Sequence, residues 1–205
     1  IAKEGVGSVH QDYFNGYIGQ MGTQFDAFGH MGRSVKMADG SVQFVYYNCG
    51  KPQFSDPKVR KALTMALEMQ KSINDIYFGT WPRTLSYLQP THWAYNRTLR
   101  DYTADPAGAE RLLDEAGWTM GPDGIRVKDG QPLKLTAIGF PVFEALYTAA
   151  QSVLRGIGVD MDVQILDAGA ATDANKRGDG HLAMTGVVTS DPSGAQVWLK
   201  RFDPD

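Results

Sequence analysis

Hydrophobic positions along this chain change period several times, and each change marks an element. Ser41 to Asn48, SVQFVYYN, alternates and is rich in Val, Phe and Tyr, which predicts a strand. Val59, Ala62, Leu63, Ala66, Leu67, Ile73 and Ile76 then recur at helical spacing and predict one amphipathic helix. Ser55 or Asp56 can cap it, Pro57 suits its first position, and Gly79 suits its end or the turn beyond. A second helix opens at Asp105-Pro106 and closes at Gly117. Two Asp-Gly pairs, Asp123-Gly124 and Asp129-Gly130, predict a hairpin, and LKLTAI after it alternates as a strand. FEALYTAAQSVLRGIG predicts a third helix with Leu146, Ala149, Ala150, Val153 and Leu154 on one face. VDMDVQIL predicts a strand with Val159, Met161, Val163 and Ile165 on one side. GHLAMTGVV is near-continuously apolar, as an interior strand covered on both faces would be, and the loop TSDPSG follows it. Residues 1–33 are rich in Gly and aromatics with weak periodicity, and residues 80–103 predict a long aromatic loop. Strands alternate with helices, so the fold class is α/β, with an irregular N-terminal segment.

Composition narrows the function classes. The 205 residues are 42% hydrophobic and 21% charged, enough for one or two domains with a real core. A net charge of -3 and no basic patch exclude nucleic acid as a partner. No apolar run approaches the ~20 residues a membrane helix needs, so membrane contact is peripheral at most. IAKEGVGSVH lacks the basic start and apolar core of a signal peptide. Cys49 is the single cysteine, which excludes an internal disulfide and a Cys-rich zinc site.

Two stretches carry candidate chemistry. In GQMGTQFDAFGH, Asp26 and His30 stand at i and i+4, and both residue types ligate Zn²⁺ or Mn²⁺. The segment at about 10–32 resembles the metal-dependent cyclase/formamidase hydrolases, whose motif reads His-x-Gly-Thr-His-x-Asp with a Pro and a further His after it. Gly22, Thr23, Asp26 and His30 match, Gln20 and Gln24 stand where two ligand histidines would be, and Phe28 replaces the Pro. That resemblance implies an amide or lactone hydrolase using a metal held by Asp26 and His30. The alternative is a Gly-rich loop whose Asp caps a turn.

The longer body resembles the family 5 extracellular solute-binding proteins. Tyr47, Asn48, Pro52, Phe54, Asp56, Val59, Arg60 and Ala62 fit the family's strand ending in Phe/Tyr-Asn and its Pro-x-Phe-x-Asp-x-x-Val-Arg-x-Ala. QPTHWAYNRTLRDYTADPAGAERLLDEAGW, DGIRVKDGQPLKLT, AAQSVLRGIGVDMDVQILD and GDGHLAMTGVVTSDPSG fit four further blocks in order. The resemblance spans roughly Val35 to Asp205 and divides the chain into a segment 1–33 and a solute-binding-protein-like α/β lobe 34–205. It implies one lobe of a periplasmic-binding-protein-like bilobal clamp, a mixed sheet flanked by helices. It also implies a substrate-binding component of an ABC importer, working outside the cytoplasm. Peptides or similar small solutes would be its ligands, and the importer's membrane subunits its partners. It implies no enzyme activity and no cofactor.

A binding protein needs a shaped surface, aromatic walls and a few placed polar groups. Trp81, Trp93 and Tyr95 can supply the walls, with core packing as the competing role for each aromatic, Trp118 and Trp198 included. Thr189, Ser190 and Asp191 follow a strand's C-terminal end, where ligands of α/β folds lie. Asp191 can receive an ammonium group, or it can cap a helix before Pro192. The tripeptide Arg177 to Asp179 and the sequon at Asn96 carry no functional weight, and Glu110, Arg111, Asp114 and Glu115 read as a solvated face.

Overall fold

The computed structural model describes residues 34–36, 41–78, 83–85 and 95–188. Strands β1 (Ser34–Lys36), β2 (Ser41–Tyr47) and β3 (Arg83–Thr84) form one side of a mixed sheet. Strands β7 (Lys134–Gly139), β8 (Asp160–Ile165) and β9 (Leu182–Val188) form the other. The order is β3-β1-β2-β9-β7-β8. β7, β8 and β9 run parallel, and β2 lies antiparallel to β9 from Ser41↔Val188 to Tyr47↔Leu182. β9 is thus an interior strand, as its apolar run predicts. A smaller sheet holds β4 (Thr119–Met120), β5 (Arg126–Lys128) and β6 (Gln131–Pro132). Its β5–β6 turn is Asp129-Gly130, both with positive φ (51° and 75°), the geometry for which Asp-Gly is favoured.

Two helices start as their sequences dictate. In α1 (Pro57–Ala66) the Asp56 carboxylate accepts the Lys58 N–H at 2.8 Å, and Pro57 fills the first turn. In α3 (Pro106–Glu115) the Asp105 carboxylate accepts the Gly108 N–H at 2.8 Å. The single helix expected from Val59 to Ile76 is instead two, α1 and α2 (Met69–Tyr77), separated by an extended Leu67. The cause is tertiary: the carbonyl of Met65, which would bond the next helical turn, accepts the Asp105 N–H at 2.9 Å. The chain entering α3 thereby ends α1.

α4 (Glu144–Gly156) crosses one sheet face between β7 and β8, and α5 (Ala168–Arg177) returns over the opposite face to β9. The main core joins Tyr47, Leu135, Ala137, Met161 and Leu182 of the sheet to α1, α3 and α4. On α4 the buried residues are Leu146, Tyr147 and Leu154, while Val153 is exposed. Tyr147 is buried against the end of β7, its ring beside Gly139 and its hydroxyl on the Ile138 carbonyl. The other face is thinner, with Ile138 packed against Ala171 and Ala174. β8 keeps the expected alternation: Val159 and Met161 are buried, Val163 and Ile165 partly so, and Asp162 and Gln164 are exposed. Trp118 is buried in the core.

Candidate functional site

Because β7, β8 and β9 are parallel, their C-terminal ends share one edge of the sheet. The order reverses at β7, whose neighbours β8 and β9 are reached over opposite faces, and ligands of open α/β sheets lie at such an edge. At this edge Gly139 ends β7 beneath the Tyr147 ring, and the Tyr147 hydroxyl donates to the Ile138 carbonyl at 3.1 Å. Burial pushes the Tyr147 phenol far above its ordinary range, so it stays a donor. The Leu166 N–H donates to the Gly139 carbonyl at 3.0 Å and ties the ends of β7 and β8 together. Asp167 then caps α5, its carboxylate accepting the Ala170 N–H at 2.9 Å. Pro141 and Val142 stand exposed in the turn after β7, and the Tyr77 hydroxyl of α2 donates to the Val142 carbonyl at 3.0 Å. Phe78, in a left-handed conformation at the end of α2, is exposed. Pro141, Val142 and Phe78 thus give this rim exposed apolar surface, while the carbonyls of Ile138, Gly139 and Val142 are engaged within the chain.

Of the site residues expected from the sequence, Tyr95 is half-buried in the loop before α3. Trp81, Trp93, Thr189, Ser190 and Asp191 lie outside the described residues, as do Asp26 and His30. β9 ends at Val188, opposite Ser41, and Thr189 to Asp191 follow it in sequence. Among the described residues no three His, Cys, Asp or Glu side chains gather as a metal site.

The opposite edge is a polar knot. The His181 N–H donates to the Thr136 carbonyl at 2.8 Å, and the Thr136 N–H donates to His181 Nδ1 at 3.1 Å. The Asn48 N–H donates to the His181 carbonyl at 2.8 Å, and Asn48 Nδ2 donates to the carbonyls of Gly178 and Gly180 at 3.2 Å. Asn48 and His181 therefore fix β9 between β2 and β7. Arg177 and Asp179 pair with each other at 2.8 Å, which occupies both charges of the adhesion-like tripeptide. The Asn96 side chain accepts the Thr98 N–H at 2.9 Å in a local turn. Glu110 and Asp114 do more than face solvent: both reach the buried guanidinium of Arg126.

The sequence model of the bacterial extracellular solute-binding proteins, family 5, middle region, matches residues 12–203. The chain belongs to this family. The match takes in the stretch holding Asp26 and His30, and the relatives named below lend the hydrolase reading no support. Among family 5 relatives, the dipeptide-binding protein of Escherichia coli (strain K12) is 38% identical over 87 residues, 42% of this chain and 16% of that protein. The oligopeptide-binding protein AppA of Bacillus subtilis (strain 168) is 30% identical over 146 residues, 67% of this chain and 27% of that protein. The crystal structure of NikA from Brucella suis in complex with Fe(III)-EDTA superposes with a TM-score of 0.71 at 25% identity, covering 83% of this chain and 34% of that one. The chain thus spans about a quarter or less of these curated relatives, and its α/β architecture is that of family 5 binding proteins.

Proposed function

We propose that this chain forms part of the substrate-binding component of an ABC importer and takes peptides or similar small solutes outside the cytoplasm. The family match over residues 12–203 carries the reading. The shared edge of β7, β8 and β9 supports it, because it gives a rigid frame from which a loop can meet a ligand. The ligand is held and released unchanged, then handed to the importer's membrane subunits. Trp81, Trp93 and Tyr95 supply apolar wall, and Thr189, Ser190 and Asp191 supply polar contacts, with Asp191 receiving a positive end.

A ligand of the native state raises apparent stability by about 2.7 kcal/mol at a hundredfold excess over Kd. Thermal melts against di-, tri- and oligopeptides and Ni²⁺ test the reading. A saturable rise with one of these classes, and no product after long incubation, is the expected result. Hydrolysis of the peptide, or no shift across the panel, counts against it. Asp191→Asn should weaken peptide binding by roughly 1.5–3 kcal/mol, the range for a hydrogen bond to a charged group, without lowering the melting temperature. An Asp191→Ala variant that loses about 1 kcal/mol of stability at unchanged affinity would make Asp191 a helix cap instead.

A further inference from the structure

Arg60 stands in α1 with no exposure to solvent. Its Nη1 donates to the Phe54 carbonyl, but among the described residues Nε and Nη2 have no hydrogen-bond partner. No carboxylate of the described residues pairs with it. Nε–H and Nη2–H lie on one edge of the guanidinium and point the same way. That is the two-donor fork that matches the two oxygens of a carboxylate. A buried cation without an anion costs several kcal/mol, so this edge demands an explanation. The Cys49 thiol, pushed up by burial, feels the Arg60 charge as an opposing pull.

We propose that the Nε/Nη2 edge of Arg60 is a receptor for one planar carboxylate-type anion, at the end of the sheet opposite the solute edge. The anion comes either from solution or from a carboxylate elsewhere in this chain. Either source gives the same bidentate contact and neutralises the same buried charge. The site is independent of the transport reading, since it lies at the start of α1, beside the C-terminal end of β2.

Sodium formate is the probe, compared with sodium chloride at equal ionic strength, on the intact chain and on Arg60→Met. A free-anion site gives a melting temperature that rises and saturates with formate, by about 5 °C or more at roughly a hundredfold excess over Kd, and Arg60→Met abolishes the rise. A carboxylate of the chain gives no formate effect, but an acid-induced loss of stability that is smaller in Arg60→Met. If formate does nothing and the acid profile of Arg60→Met parallels the wild type, ordered water satisfies the guanidinium and the proposal is wrong. Arg60→Lys keeps the charge but not the flat fork. It serves as the second variant if Arg60→Met does not fold, and is read by the same outcomes.

Discussion

His181 Nδ1 accepts the backbone N–H of Thr136 at 3.1 Å while the His181 N–H donates to the Thr136 carbonyl at 2.8 Å, so one residue closes a ring between β9 and β7. The acceptor role requires a neutral ring with its proton on Nε2. Burial lowers the His181 pKa below its ordinary 6.5, and the charge of Lys51 lowers it further. Phe54 stacks edge-on to the ring at 6.1 Å and keeps water from that side. The sign follows from linkage: a group with a depressed folded pKa binds its proton more readily in the unfolded chain. Stability from His181 is therefore complete above about pH 6.5 and falls as pH drops toward the folded value, at no more than about 1.4 kcal/mol per pH unit. Urea melts from pH 5 to 8 should show this slope in the wild type and lose it in His181→Asn. An identical slope in both proteins would assign the pH dependence to other groups.

Gly139 is held without a side chain by Tyr147. A methyl there would stand 2.7 Å from Tyr147 Cδ2, and the ring cannot retreat because its hydroxyl bonds Ile138. Gly139→Ala should cost about 1–3 kcal/mol, the range for overpacking. In a Tyr147→Leu background the added cost should shrink, because the colliding ring is gone. Equal costs in both backgrounds would locate the strain in the backbone.

Local chemistry made part of this fold legible in the sequence. The caps at Asp56 and Asp105 and the turn at Asp129-Gly130 depend on atoms a few residues apart, and each stands as expected. The break at Leu67 depends on Asp105, far along the chain, and no Gly or Pro marks it. α5 escaped because AGAATDANKR buries little more than Ala171 and Ala174, too faint an apolar period to read, although Asp167 and Gly178 bound it as a cap and a left-handed stop should. Arg60 and Arg126 are both buried, which nothing in their sequence neighbourhoods marks. The shared C-terminal edge of β7, β8 and β9 follows from strand order alone, whereas the loops proposed to line it have a composition that carries no period.

The cavity under the sheet offers a third test. It holds about 40 Å³ and is lined by apolar side chains, among them Leu67, Met69, Ala150 and Met161. With almost no polar lining it cannot orient a solute, so its natural description is imperfect packing. Ala150→Val should fill part of it and gain up to about 1 kcal/mol at roughly 24 cal/mol per Å³. Leu154→Ala should enlarge it and cost about 2–5 kcal/mol. A destabilised Ala150→Val would mean that the walls have no room at that position.

Arg126 ties three elements together, and its neighbours should be unequal. It is 2% exposed. Nε donates to the Ile157 carbonyl at 2.8 Å and Nη1 to the Trp118 carbonyl at 2.7 Å, so it closes the turns after α4 and α3. Nη1 also pairs with Asp114, and Nη2 lies 3.9 Å from Glu110. The two carboxylates are about half exposed, so solvent screens them and each contributes little. The carbonyls at the buried end have no water to fall back on. Arg126→Met should therefore cost about 3–5 kcal/mol, while Asp114→Asn and Glu110→Gln should each cost less than about 1 kcal/mol. Arg126→Lys keeps the charge but loses the planar set of donors, and should fall nearer to Met than to the wild type. Urea unfolding of the four variants decides the matter. If Asp114→Asn costs as much as Arg126→Met, the ion pair holds these elements together and the carbonyl contacts are secondary.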